Sequence, residues 1–148
     1  TRFTKNIIKS MFNTIAGKKI LILGFAFKAD TGDTRESPAI RICKELHAEK
    51  ADLVISDPKA ILNAKDDLSE LSNIIYEEDP YEAAKDADAI ALLTDWSAYN
   101  NLDFQKLYEI MRKPASIFDG RNILDHKNIF NLGFEVYSVG KGRLSHLN

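Results

Sequence analysis

Cysteine is almost missing. Cys43 is the one thiol in 148 residues, so no internal disulfide can form. A reducing compartment, read as the cytoplasm, is the simplest setting for such a chain. Histidine is scarce too: His47, His126 and His146 are scattered, and no metal-ligand spacing appears. An excess of charge of one sign is lacking, with 20 basic and 22 acidic residues and a net charge of -2. That balance gives no electrostatic case for nucleic acid or a membrane surface as a partner. No apolar run approaches the roughly 20 residues of a membrane span, and no signal peptide pattern is read. Glycine is sparse, and where it is sparse matters. A dinucleotide-binding turn needs Gly-x-Gly-x-x-Gly after its first strand. Here the stretch is Gly24-Phe25-Ala26-Phe27-Lys28-Ala29, with alanine at the second and third glycine positions. The P-loop pattern is absent as well.

What is present is ordinary for a globular chain, with 45% hydrophobic and 28% charged residues. The length predicts one domain. The organising stretch is 18–38. Ile20 to Leu23 is a short, continuous apolar run, the pattern of a strand buried on both faces. Gly24 ends it, and a polar loop from Phe25 to Ser37 follows. Ser37-Pro38 then reads as a capped helix start.

Along the rest of the chain, apolar spacing predicts a first helix over 2–14, with Phe3, Ile7, Met11 and Ile15 in one stripe, Ile8 and Phe12 beside it, and Gly17 as the stop. Helices are also predicted over 37–49, over 79–85 with Asp79 as cap, over 103–111 with Asp103 as cap, and near 126–131. Strands are predicted at 53–55, 74–76, 89–93, 116–118 and 135–139. Residues 59–73 read as a loop with some helix, and 140–148 as a frayed tail. The alternation predicts a three-layer α/β/α, Rossmann-like domain with a mostly parallel sheet. Right-handed crossovers bring the loops 24–37, 94–101 and 119–122 to one sheet edge, the edge where open α/β sheets bind ligands.

On that edge, Lys28 and Arg35 with the helix start at Ser37 form a candidate anion site. Arg121, presented by Asp119-Gly120, is a second candidate. Two readings of each stand open: a ligand site, or a solvated loop with Phe25 and Phe27 in the core and a locally capped turn at Asp119. Asp57 occupies the place of a ribose-binding acid, but without the glycine pattern a turn with Pro58 fits better. Glu77-Glu78-Asp79 reads as a solvated face with a helix cap. Cys43 reads as a buried small hydrophobe, with no neighbouring base to activate it. Trp96 and Tyr99 read equally as pocket lining or core.

The run Gly24-Phe-Ala-Phe-Lys-Ala-Asp-Thr-Gly-Asp-Thr-Arg-Glu-Ser-Pro38 closely resembles the C-terminal, UDP-binding domain of the UDP-glucose/GDP-mannose dehydrogenase family. Ser10 to Thr14, Thr94-Asp95-Trp96 and Phe118 to Asn122 resemble further segments of that domain, in the same order. The resemblance implies a whole enzyme that oxidises UDP-glucose to UDP-glucuronate with two NAD, through a thioester on a cysteine. It implies that Phe27, Lys28 and Arg121 contact the UDP-sugar and that Arg35 reaches the NAD diphosphate. NAD itself would be held mainly by an N-terminal domain that this chain lacks, along with the catalytic cysteine motif. The whole enzyme would be a homo-oligomer. On this reading 1–15 ends a connecting helical region, 16–140 is the UDP-sugar-binding domain and 141–148 is a tail. The start at Thr1 reads as an excised or processed chain, inactive alone. A stand-alone UDP-sugar-binding module, an oligomerisation module and a divergent NAD-binding domain are the alternatives.

Overall fold

The computed structural model describes residues 1–11 and 13–147. Six strands form one sheet in the order β3-β2-β1-β4-β5-β6, all neighbours parallel. They are β1 (Lys19–Leu23), β2 (Asp52–Ser56), β3 (Ile75–Tyr76), β4 (Ala89–Leu92), β5 (Ser116–Asp119) and β6 (Glu135–Ser138). The helices are α1 (Arg2–Ser10), α2 (Pro38–Ala48), α3 (Ile61–Asp67), α4 (Pro80–Ala84), α5 (Phe104–Ile110) and α6 (His126–Leu132).

β1 shows why the layers form. Successive side chains leave a strand on opposite faces. Ile20 and Ile22 pack into one apolar cluster with Ile7, Ala39, Cys43, Leu46 and Ala64, which come from α1, α2 and α3. Leu21 and Leu23 pack into a second with Ala83, Leu107 and Ile129, from α4, α5 and α6. The sheet is thus covered on both faces, as the continuous apolar run predicts. Chain order reverses between β1 and β4, and the loops leaving those two strands part there. That is the switch point of a doubly wound sheet.

The helix starts follow the sequence. Ser37, Asp79 and Asp103 cap α2, α4 and α5 by accepting from Ala39 N, Tyr81 N and Lys106 N, and Asp125 caps α6 through Asn128 N. Two expectations change and one is made definite. α1 ends at Ser10, not 14, because Asn13 takes a left-handed φ of 65° and its amide bonds Ile8 O; Phe12, counted in the stripe, lies outside the described residues. Within 59–73, read as a loop with some helix, the helix is 61–67, with Ala60, Ala64 and Leu68 as the buried stripe. The tail folds back rather than fraying. Leu144 pairs antiparallel with Val136, and the buried Glu135 carboxylate accepts from Ser145 Oγ and from His146 N at 2.7 Å. The His146 ring stacks on Phe130.

Candidate functional site

The loop after β1 is held from four sides. Gly24 has φ +95° and lies so near the segment after β4 that a Cβ would come within 2.6 Å of Thr94 Cβ; only glycine meets both conditions. The Phe25 and Ala26 amides then donate to Asp57 Oδ2 at 2.8 and 3.0 Å. Ser37 Oγ donates to Phe25 O, and Thr94 Oγ1 donates to Ala26 O. Phe27 N donates to Asp33 O, and Ala29 N to Asp95 Oδ1. With the backbone fixed on either side, the Phe25 ring goes into the core while Phe27 stays 45% exposed and Lys28 exposed. Among the described residues, the Lys28 side chain makes no hydrogen bond or ion pair. The two phenylalanines left open together by the sequence therefore divide: one is core, the other is presented.

Asp57 is the hub of this edge. It is 1% exposed. Besides the two loop amides, Oδ2 accepts Trp96 Nε1 at 3.3 Å, and Oδ1 accepts the Lys59 and Ala60 amides at 2.9 Å each. One carboxylate joins the loops after β1, β2 and β4. The turn with Pro58 is part of this arrangement and the smaller part. Because its lone pairs are taken by N–H donors, Asp57 has no acceptor to offer a ribose hydroxyl.

Arg121 follows β5. Asp119, fully buried, accepts from Arg121 N at 3.1 Å, Leu124 N at 2.9 Å and His126 Nε2 at 2.8 Å. Gly120 is needed for space, since a Cβ would stand 2.9 Å from Leu92 O. The Arg121 guanidinium reaches across to the loop after β4, with Nη2 3.3 Å from Asp95 Oδ2 and Nη1 3.5 Å from Leu93 O. The local cap and the presented arginine, posed as alternatives by the sequence, coexist.

Arg35 stands apart. Its guanidinium donates through Nε and Nη2 to the Asp33 carboxylate of its own loop, and its side chain is 89% exposed. Those hydrogen bonds pull the Asp33 carboxyl down to about 2. The start of α2 is also closed, because Ser37 Oγ already takes Ala39 N and Ser37 O takes Ile40 N. The anion site predicted from Lys28, Arg35 and the helix end together thus reduces to the loop cations.

Trp96 and Tyr99 are both buried, which settles them as core. Burial pushes the Tyr99 phenol well above its usual range, with the Asp57 charge adding to the shift. Cys43 is fully buried, and burial pushes its thiol far up, so it is no nucleophile. Sequence reasoning missed Asp57 and Asp95 as organisers. The one signal was position: each lies just past the carboxyl end of a strand.

The model of the UDP-glucose/GDP-mannose dehydrogenase family, UDP binding domain, matches residues 21–126. UDP-glucose 6-dehydrogenase 1 of Arabidopsis thaliana is 44% identical over 95% of this chain, and UDP-glucose 6-dehydrogenase 3 of that plant is 46% identical over the same share. The chain spans 33% of the length of each. A UDP-glucose dehydrogenase of Pyrobaculum islandicum superposes with a TM-score of 0.68 at 26% identity, over 81% of this chain and 26% of that one. An NDP-N-acetyl-D-galactosaminuronic acid dehydrogenase of Methanosarcina mazei shares the fold, with a TM-score of 0.78 at 23% identity over 95% of this chain and 28% of that one. With a doubly wound sheet, and with the long loop after β1 and the Asp-Gly-Arg turn inside the matched residues, the chain belongs to the UDP-glucose/GDP-mannose dehydrogenase family, as its UDP binding domain.

Proposed function

We propose that this domain grips the UDP part of UDP-glucose for an enzyme that oxidises the sugar C6 alcohol to the carboxylate of UDP-glucuronate. The observation that carries it is the tied strand-end edge, which presents Phe27 and Lys28 from one loop and Arg121 from another at the switch point of a family UDP binding domain. Lys28 offers a point charge to phosphate oxygens, and Arg121 offers planar, directional donors. Phe27 offers an exposed ring to the nucleoside or sugar.

Oxidising an alcohol to a carboxylate removes four electrons, so it uses two NAD. The residues here do not fit a dinucleotide site of their own: Ala26 and Ala29 replace two glycines, and the Asp57 carboxylate is fully engaged. NAD then binds mainly in the part of the enzyme outside this chain. Arg35, exposed at the rim, reaches toward its diphosphate by exchanging Asp33 for a ligand anion. The catalytic cysteine also lies outside, and the chain alone forms no NADH. Residues 1–15 end a connecting helical region, 16–140 bind the nucleotide-sugar and 141–148 are a tail. The whole enzyme is a cytoplasmic homo-oligomer.

Calorimetric titration with UDP, UDP-glucose and NAD tests the assignment. UDP binding that Lys28→Ala and Arg121→Ala each weaken, with no heat from NAD, is the expected result. NAD binding with indifference to UDP overturns it, and so does an absence of UDP binding at millimolar concentration.

A further inference from the structure

Asp95 touches both halves of the candidate site. Its Oδ1 accepts Ala29 N at 3.3 Å, one residue past Lys28, while its Oδ2 lies 3.3 Å from Arg121 Nη2. Leu93 O, two residues earlier in the same segment, takes Arg121 Nη1 at 3.5 Å. Both guanidinium contacts are longer than the about 2.7–2.9 Å of a tight charge-assisted bond. Arg121 carries five N–H donors, and these contacts engage two. The group is therefore held in orientation while keeping donors for a ligand. Arg35 offers the contrast: its carboxylate partner comes from its own loop, at 2.8 Å, and among the described residues its side chain bonds no other loop.

We propose that Asp95 is a positioning residue for nucleoside-diphosphate binding, orienting the Arg121 guanidinium and locking it to the loop that carries Lys28. The proposal rests on the assignment of Arg121 to the UDP moiety. A flexible arginine must be immobilised when the ligand arrives, and a partner already in place removes most of that cost. Immobilising one such side chain is worth roughly 2- to 12-fold in affinity. Asp95 is partly exposed, and among the described residues its carboxylate holds, besides Arg121, only the Ala29 amide, so its removal acts mainly on the site.

A double-mutant cycle on UDP affinity tests this, using Asp95→Ala, Arg121→Ala and the double variant, with thermal unfolding of each. The expected result is a roughly 2- to 12-fold loss for Asp95→Ala in the parent and no further loss in the Arg121→Ala background, with a Tm within about 4 °C of the parent. Asp95→Asn, which keeps the shape and one acceptor, recovers part of the loss. Equal losses with and without Arg121 overturn the proposal. So does tighter UDP binding by Asp95→Ala, which would make the carboxylate a competitor of the diphosphate. If Arg121→Ala alone leaves UDP affinity unchanged, the assignment of Arg121 falls first and the role of Asp95 falls with it.

Discussion

Replacing Asp57 with asparagine separates a hub from a simple turn residue. Oδ2 serves three donors, Phe25 N, Ala26 N and Trp96 Nε1, and Oδ1 serves two, Lys59 N and Ala60 N. An amide has one acceptor oxygen, so it must turn its NH2 toward one of these sets. The less costly choice keeps the oxygen on the three donors and abandons Lys59 N and Ala60 N. Lys59 is exposed and rehydrates, whereas Ala60 is buried and its amide is stranded. A stranded buried donor costs about 1–3 kcal/mol. The three remaining bonds fall from charge-assisted to neutral strength, roughly a halving, while removing a buried charge returns part of its desolvation cost. The net is about 2–4 kcal/mol. At roughly 3 °C per kcal/mol for a chain of this size, scanning calorimetry should show Tm lower by roughly 6–12 °C. Pro58→Ala, at an exposed neighbour, is the control and should move little. An Asp57→Asn protein melting within about 2 °C of the parent, or a larger effect from Pro58→Ala, would refute the reasoning.

Other consequences can be checked separately. Gly24→Ala meets both a left-handed φ and the Thr94 side chain, so it should cost about 3 kcal/mol or more in denaturant unfolding. Cys43 should be inert to a thiol reagent in the native chain and react on unfolding, since it is fully buried with a raised pKa. The Asp33 carboxyl should titrate by NMR at about 2 and return toward its ordinary value in Arg35→Ala. Its folded pKa is depressed, so the pairing is complete above the ordinary value of 3.8 and is lost as the pH falls through about 2. Thr94→Val keeps the shape but leaves the Ala26 carbonyl without its donor, for about 1–3 kcal/mol of stability.

The sequence carries its local physics openly and its long-range bonds not at all. Ile20 to Leu23 reads as a doubly buried strand because nothing polar interrupts it, and Ser37, Asp79 and Asp103 read as caps because capping spans three residues. α3 was legible only as some helix within a loop because its buried stripe is Ala60, Ala64 and Leu68, and alanine gives little periodic contrast, while Leu62 is 80% exposed. The folded-back tail depends on Glu135 and Val136, several residues earlier, which no local pattern announces. At the site, Lys28 and Arg121 were legible as strand-end cations. Asp57 was not legible as the organiser of the Lys28 loop, because its partners at Phe25 and Trp96 lie over thirty residues away on both sides.

The two flanks of the sheet have a consequence for self-association. An exposed strand edge is a template for pairing with another chain. On one flank β3 offers two residues, too little backbone for a register to take hold. On the other, the chain lays its own Leu144 against Val136, so the N–H and C=O of Val136 that a visiting strand would seek are already paired. Cutting the chain back before Leu144 would uncover that flank and leave Glu135 without two of its donors. The stretch around Leu144 thus acts as a selvedge along part of β6.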